Sequence, residues 1–270
     1  MRFLQHTLRL LDASMKTPGL FGWFHLLWLG ITAAATIMLC RYGKGKERTV
    51  ILWTTLLVIF FEIYKQINFS FSYTKGITFD YQWYAFPFQF CSTPMYVGLL
   101  AALTKGKLHK ALCSYLSTFA LFAGLCVMFY PGDVFIDTIG INIQTMICHG
   151  SMVVIGSYLL STGYVQLTYK TVLKALPVFA VCVFLATGLN ELAHITGLKE
   201  TFNLFFVSPY WDCTLPLYNL IHESVPFPLN LVIYIAGFTV AAWIVLMLAK
   251  GFHRVIKGKT SENAVYINNL

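Results

Sequence analysis

Charge is scarce in this sequence. Asp, Glu, Lys and Arg make up 11% of the 270 residues, where a soluble domain carries about 25%. That scarcity excludes an ordinary soluble domain. With 57% apolar residues and a mean hydropathy of +0.68, the composition is that of a polytopic membrane protein. Acidic residues are the scarcer sign, 11 against 19 Lys and Arg, which leaves a formal charge of +8. The basic residues fall in short runs without a stripe of interleaved aromatics, so they mark no nucleic-acid footprint. No small-residue cleavage site of a secretory signal follows Met1–Lys16. There is no Cys-x-x-Cys pair and no disulfide framework. Of Cys40, Cys91, Cys113, Cys126, Cys148, Cys182 and Cys213, only Cys213 lies in a loop. A phosphate-cradling glycine loop is missing, and no soluble cofactor is implied. No internal repeat of the kind that builds inverted-repeat transporters is present.

What is present is apolar length. An all-α fold of seven transmembrane helices is expected, from seven stretches of the roughly 17–25 residues that span about 30 Å of hydrocarbon. They are Leu20–Cys40, Val50–Ile67, Tyr84–Leu103, Ala111–Tyr130, Asn142–Leu160, Val172–Ala193 and Pro228–Ala249. Arg41, Lys44, Lys46, Arg48, Lys105, Lys107, Lys110, Lys170, Lys174 and the Lys250–Lys259 tail fall in the odd loops and the C-terminus. The even loops carry Asp80, Asp133, Asp137, Glu200, Asp212 and Glu223, with Lys75 and Lys199. The positive-inside rule then places the N-terminus outside and the C-terminus in the cytoplasm of a multi-pass cell-membrane protein, against the dissent of Arg2, Arg9 and Lys16. Three regions follow: an amphipathic interfacial segment 1–19, a membrane domain 20–249 and a basic cytoplasmic tail 250–270. Phe3, Leu4, Leu8, Leu11 and Met15 fall at helical spacing in the first region. The long loop Thr196–Phe227, rich in Pro and aromatics, is too apolar for a linker and is expected to cover the outer face as a lid.

Polar side chains gather at the outer ends of four spans: Glu62 and Lys65, Gln89 and Cys91, Asn142 and His149, and Asn190, Glu191 and His194. Ionisable groups at membrane depth mark a site by default, and four helices presenting them at one depth imply a shared cavity. The stretch Pro87-Phe88-Gln89-Phe90-Cys91-Ser92-Thr93-Pro94 breaks the helical ladder twice. Pro94 suits a first helical position with Thr93 or Ser92 as cap, which puts Cys91 just before a helix N-terminus, where a thiolate is favoured. A plain kink with a buried structural Cys is the competing reading. Asn142, Thr145 and His149 share a helical face, and Gly150 leaves room for close approach. A Cys–His pair is what nucleophilic acyl transfer needs; a His bonded to a neighbouring carbonyl is the alternative. Asn190 or Glu191 would orient His149. Glu-x-x-His at 191–194 occurs in one copy, so a metal site of His149, His194 and His222, helped by Asp212, is a remoter reading. Glu62 with Lys65 or Gln66 is also read as a satisfied ion pair.

The Pro-Phe-Gln-x-Cys motif of the third span and the His-Gly of the fifth resemble the YwaF-like family of integral membrane proteins, which includes the mammalian ether-phospholipid acyltransferase. The resemblance runs from about Val50 to Leu248. It implies a membrane acyltransferase with Cys91 as nucleophile and His149 as base. Gln89 stands where family members often have His, and Ser92 also departs from the mammalian pattern. On this reading Gln89, Asn142 or Asn190 stabilises the oxyanion. Glu62, His194, Trp211 and His222 line the substrate cavity. A phospholipid donates the acyl chain to a lysolipid or to water. Two other classes stay open: a small-solute transporter or sensor using the same cavity through Glu62, His149, Glu191 and His194, and a metal-dependent intramembrane lipid hydrolase.

Overall fold

The structure, a computed structural model, describes residues 6, 9, 10, 12–72, 77–132, 134–213, 215, 218–222 and 224–267. Most of the expected interfacial helix, including Phe3, Leu4, Leu8 and Leu11, lies outside the described residues. Residues 13–15 run extended. Ser14 forms an antiparallel bridge with Thr138, and the Met15 N–H donates to the Asp137 carbonyl at 2.7 Å.

The described helices are α1 Trp23–Tyr42, α2 Glu47–Asn68, α3 Thr93–Leu103, α4 Gly106–Phe129, α5 Ile139–Ser161, α6 Tyr169–Ile195, α7 Tyr218–His222 and α8 Phe227–Ile267. A two-stranded hairpin, β1 Phe71–Ser72 with β2 Thr78–Phe79, follows α2. Among the described residues, six helices are long and apolar enough to cross a membrane: α1, α2, α4, α5, α6 and the Phe227–Arg254 part of α8. α5 is the central helix, with residues of every face buried, from Ile141 and Asn142 to Tyr158 and Leu160.

The third expected span differs. Of Tyr84–Leu103 only the last 11 residues form an α-helix, about 16 Å at 1.5 Å per residue and roughly half the hydrocarbon thickness. Before them run a 3₁₀ turn Trp83–Ala85, an irregular stretch through Pro87 and a second 3₁₀ turn Phe90–Ser92. Pro87 supplies no N–H and cannot continue a ladder, while Pro94 fits the first turn of α3. The chain still travels between the two ends of the bundle. Tyr84 packs on Phe69 at one end of α2 (5.6 Å between centroids), and the Thr104 carbonyl accepts from Arg48 Nη2 at the other (2.7 Å). Neither Ser92 nor Thr93 caps α3 through its side chain. The Thr93 hydroxyl donates to the Phe90 carbonyl at 2.8 Å instead and accepts from Tyr115 at 2.5 Å.

α4 contains a wholly buried π turn, Leu116–Ala120. It packs closely on α5 through two glycines. A Cβ on Gly124 would lie 2.7 Å from Met152 Cβ and 2.9 Å from the His149 carbonyl, and one on Gly156 would lie 2.7 Å from Leu121 Cβ. Small residues let backbones approach in this way without a hydrophobic drive between helices. At the basic end, His109 bridges the Ala101 carbonyl and the Tyr164 hydroxyl, both at 2.7 Å, and the Tyr158 hydroxyl donates to Gly43.

At the opposite end the loop after α6 folds inward. Phe205 and Phe206 have φ of 58° and 57°, a conformation that costs of order 1–3 kcal/mol for such residues. Phe205 is fully buried against Phe90, Phe88 and Phe179. Burying a Phe side chain returns about 1.5–3 kcal/mol, which offsets the strain at one of the two residues.

Candidate functional site

Cys91 sits on the 3₁₀ turn that leads directly into α3, half-buried, and its carbonyl accepts the Cys148 S–H at 3.5 Å. Lys65 and Glu62 of α2 are within electrostatic reach of Cys91, and Lys65 also of His149. Imidazole Nδ1 of the buried His149 lies 2.7 Å from the Thr145 carbonyl. A carbonyl only accepts, so Nδ1 carries the proton and Nε2 of the neutral ring carries the lone pair. Nε2 is buried without a hydrogen-bond partner, so no hydrogen bond joins it to Cys91. His149 and Cys148 are consecutive on α5, and Cys148 touches the Cys91 backbone; these contacts gather α2, the 3₁₀ turn and α5 around one point.

Glu62 anchors the polar side of this cluster. Its Oε1 accepts from Lys65 Nζ at 2.8 Å and Gln66 Nε2 at 2.8 Å, and its Oε2 from Gln144 Nε2 at 3.3 Å. Gln66 also donates to the Ala85 carbonyl and accepts from the Tyr81 hydroxyl, both at 2.8 Å. Burial, followed by the Glu62 carboxylate, pushes the Tyr81 phenol above its ordinary value. Sequence reasoning missed Gln144, although an amide at membrane depth is itself a signal. It also passed over His109 and Cys113, whose sulfur lies 3.6 Å from His109 Nε2; that i, i+4 pair is at the basic end, with the ring already held on both nitrogens.

The other polar residues do not share one cavity. Asn142 clips its own preceding loop: its Oδ1 accepts from the Ile136 N–H (2.9 Å) and its Nδ2 donates to the Ile136 carbonyl (2.8 Å). Asn190 does the same with Leu204, at 2.8 Å and 3.0 Å. Gln89 Oε1 accepts from the Phe205 N–H at 3.3 Å, and its Nε2 donates to the Tyr84 carbonyl at 3.3 Å. These amides seat the lid and the loop before α5 because exposed loop backbone at this depth needs protein partners. Glu191 accepts from the Tyr210 hydroxyl at 2.7 Å, and His194 stacks on Tyr210 with centroids 3.5 Å apart. That hydrogen bond, before any burial, raises the Tyr210 phenol. His194 is exposed. His222 Nε2 donates to the Ser208 carbonyl at 3.0 Å, and Trp211 is half-buried in the lid. His149, His194 and His222 therefore have separate partners, and among the described residues no group of three or more His, Cys, Asp or Glu side chains could hold a metal ion.

Asn190→Ala removes both Leu204 contacts. We expect a loss of about 1–3 kcal/mol, the cost of buried backbone groups left unpaired. Hydrogen exchange in detergent should show the loss of protection confined to residues 203–208; uniform deprotection of α6 would contradict a clip confined to the lid.

An open cleft of about 510 Å³ lies between α2, α3 and the hairpin, and Glu62 and Gln66 line it. His194, Trp211 and His222 do not.

Six long apolar helices, a broken third segment and a buried polar cluster at its break define a multi-pass helical membrane protein. A family model matches residues 20–250, and the chain belongs to the TMEM164 family. No curated protein and no solved structure matches it.

Proposed function

We propose that this protein is a membrane acyltransferase, or acyl hydrolase, that acts on phospholipid acyl chains through a thioester on Cys91. The observation that carries the reading is the His149 tautomer: Nδ1 is fixed on Thr145 and Nε2 is buried and unpartnered, on the residue next to Cys148, whose sulfur touches the Cys91 carbonyl. That is the state a general base requires. Apo hydrogen bonds between nucleophile and base are often loose and tighten with substrate. The YwaF-like motif at Gln89–Cys91 and His149 supports the same roles. The His149 Nε2 takes the Cys91 thiol proton, and the sulfur attacks the donor ester carbonyl. The lysolipid leaves with that proton, and the acyl group stays on sulfur. An acceptor lysolipid hydroxyl, or water, then gives its proton to His149 and takes the acyl group, and the proton returns to sulfur. The amides of Asn142, Asn190 and Gln89 are all bonded to loop backbone; the Gln89 Nε2, two residues from Cys91 in the chain, holds the longest of these bonds, 3.3 Å to the Tyr84 carbonyl, and would exchange it for the oxyanion. Mass spectrometry of protein purified from phospholipid membranes tests this. An acyl mass on Cys91, absent in His149→Ala, is the expected result; an unmodified Cys91 under acyl-donor excess would sink the proposal.

We also propose seven crossings, the third made by the irregular stretch plus α3, with the N-terminus outside and the C-terminus in the cytoplasm of the cell membrane. The basic loops at Lys44–Arg48, Lys105–Lys110 and Lys170–Lys174 support it. A reporter after Leu270 should read cytoplasmic, and a tag beside Asp137 should be reached from outside; the reverse pattern would put the cluster in the other leaflet.

A further inference from the structure

The cleft between α2 and α3 is mainly apolar. Ile59, Ile63, Ile67 and Leu99 line it along the two helices and Phe71 and Phe79 at the hairpin, while Glu62 and Gln66 of α2, with Ser70 just after it, add polar groups on one wall. At about 510 Å³ it falls within the roughly 300–1,000 Å³ of small-molecule sites. It opens on the face where Ile63 and Phe79 are exposed, and α2 is a membrane-spanning helix, so the medium that meets this opening is lipid rather than water. A mainly apolar slot that opens to lipid and carries a few polar groups on one wall suits one amphiphile, a phospholipid with a single acyl chain laid along α2 and α3.

The cleft also has a defined inner wall. A second, much smaller cavity of about 10 Å³ is lined by Thr55, Cys148 and Ser151 among others. Met95 is the residue common to the linings of both cavities. Met95 is buried, stands one helical turn after Cys91 on α3, and has the unbranched, adaptable side chain that fills or vacates an irregular gap at low cost. Pro87 and Met95, which flank Cys91 in sequence, both line the cleft, and Cys148, which lines the smaller cavity, touches the Cys91 carbonyl.

We infer that the α2–α3 cleft is a lateral binding site for one phospholipid acyl chain, with Met95 as the movable wall between that chain and Cys91. The inference rests on the acyl-transfer reading for its direction, but the binding site is measured separately.

The test reconstitutes the full chain in phosphatidylcholine vesicles that contain a phospholipid with a diazirine midway along one acyl chain. After irradiation, digests are read for lipid adducts and, in the same run, for acyl groups on Cys91. Adducts should concentrate on peptides holding Ile63 and Leu99. Leu99→Trp, which fills the slot, should reduce them by about tenfold, equivalent to roughly 1.4 kcal/mol of binding. Ile63→Trp should do the same and serves if Leu99→Trp does not fold. Leu100→Trp, on the exposed neighbouring face of α3, should leave labelling unchanged. Met95→Ile, branched and stiff, should keep the adducts and slow acylation of Cys91. Labelling spread evenly over exposed positions such as Leu185 and Leu248, and indifferent to both Trp variants, would overturn the site. So would α2–α3 crosslinks between two copies with no lipid adducts. Adducts in the cleft without any acyl group on Cys91 would retain the binding site and remove the acyl-transfer reading and Met95's role; an acyl group on Cys91 that persists with labelling indifferent to Leu99→Trp would do the opposite.

Discussion

Cys91→Ser keeps the fold and loses turnover by more than about 10⁴-fold, as expected when a unit of nucleophile and base is broken. The two side chains are nearly the same size and Cys91 is half-buried, so apparent Tm should move little. The hydroxyl is far harder to ionise, and the proposed base, His149, has its Nε2 buried without a partner. His149→Ala should cost about 10²–10⁴-fold, the range of a positioned acid–base group, and keep the thioester from accumulating. Cys148→Ser is the informative control: it keeps a donor for the Cys91 carbonyl and should retain most activity. Acyl exchange in proteoliposomes measures all three. Equal activity in wild type and Cys91→Ser would end the proposed mechanism, and loss only in Cys148→Ser would move the nucleophile to Cys148.

The second large effect falls on stability. Glu62→Ala leaves the Lys65 ammonium without its carboxylate in a site where both side chains are largely buried, 13% and 6% exposed. Breaking one partner of a buried pair costs about 3–5 kcal/mol, and here Gln66 and Gln144 also lose an acceptor. An apparent Tm drop on the order of 10 °C is expected for a domain of this size. Glu62→Gln, which still accepts hydrogen bonds, should lose less. Removing both charges, Glu62→Leu with Lys65→Met, should recover much of the loss, because a buried pair and an apolar pair of like volume are often close in stability. A double variant as unstable as Glu62→Ala would show that the carboxylate's bonds to the two amides, the Gln144 bond from α5 among them, stabilise the fold more than the ion pair does.

Much of this was legible in the sequence, and the rest was hidden for identifiable reasons. Apolar length found the helices: Val50–Ile67 lies inside Glu47–Asn68, and Val172–Ala193 inside Tyr169–Ile195. Pro87 and Pro94 announced the break before α3. The Glu62–Lys65 pair followed from spacing, because i, i+3 neighbours meet on any helix. Asn142, Asn190 and Gln89 were harder. Their polarity at membrane depth is visible, but what they bond depends on where a loop returns, and Gln89 meets Phe205 from 116 positions away. Spacing on one helix cannot reveal that partner. The relation of Cys91 to His149 is hidden for the same reason, since it turns on how α3 and α5 cross. The π turn in α4 left no local mark, as Leu116–Ala120 contains neither Gly nor Pro.

That π turn sets the rotational phase of the rest of α4, Leu121–Phe129. One extra residue in a turn rotates the following helix by about 100° relative to an unbroken α-helix. In the folded chain that rotation aims Gly124 at the His149 carbonyl and Leu121 at Gly156. A single-residue deletion within 116–120 would restore regular winding and swing bulkier side chains toward α5. The helix would persist, and the spacing that brings α4 against His149 would not, so a one-residue insertion works here as an alignment device for the proposed base.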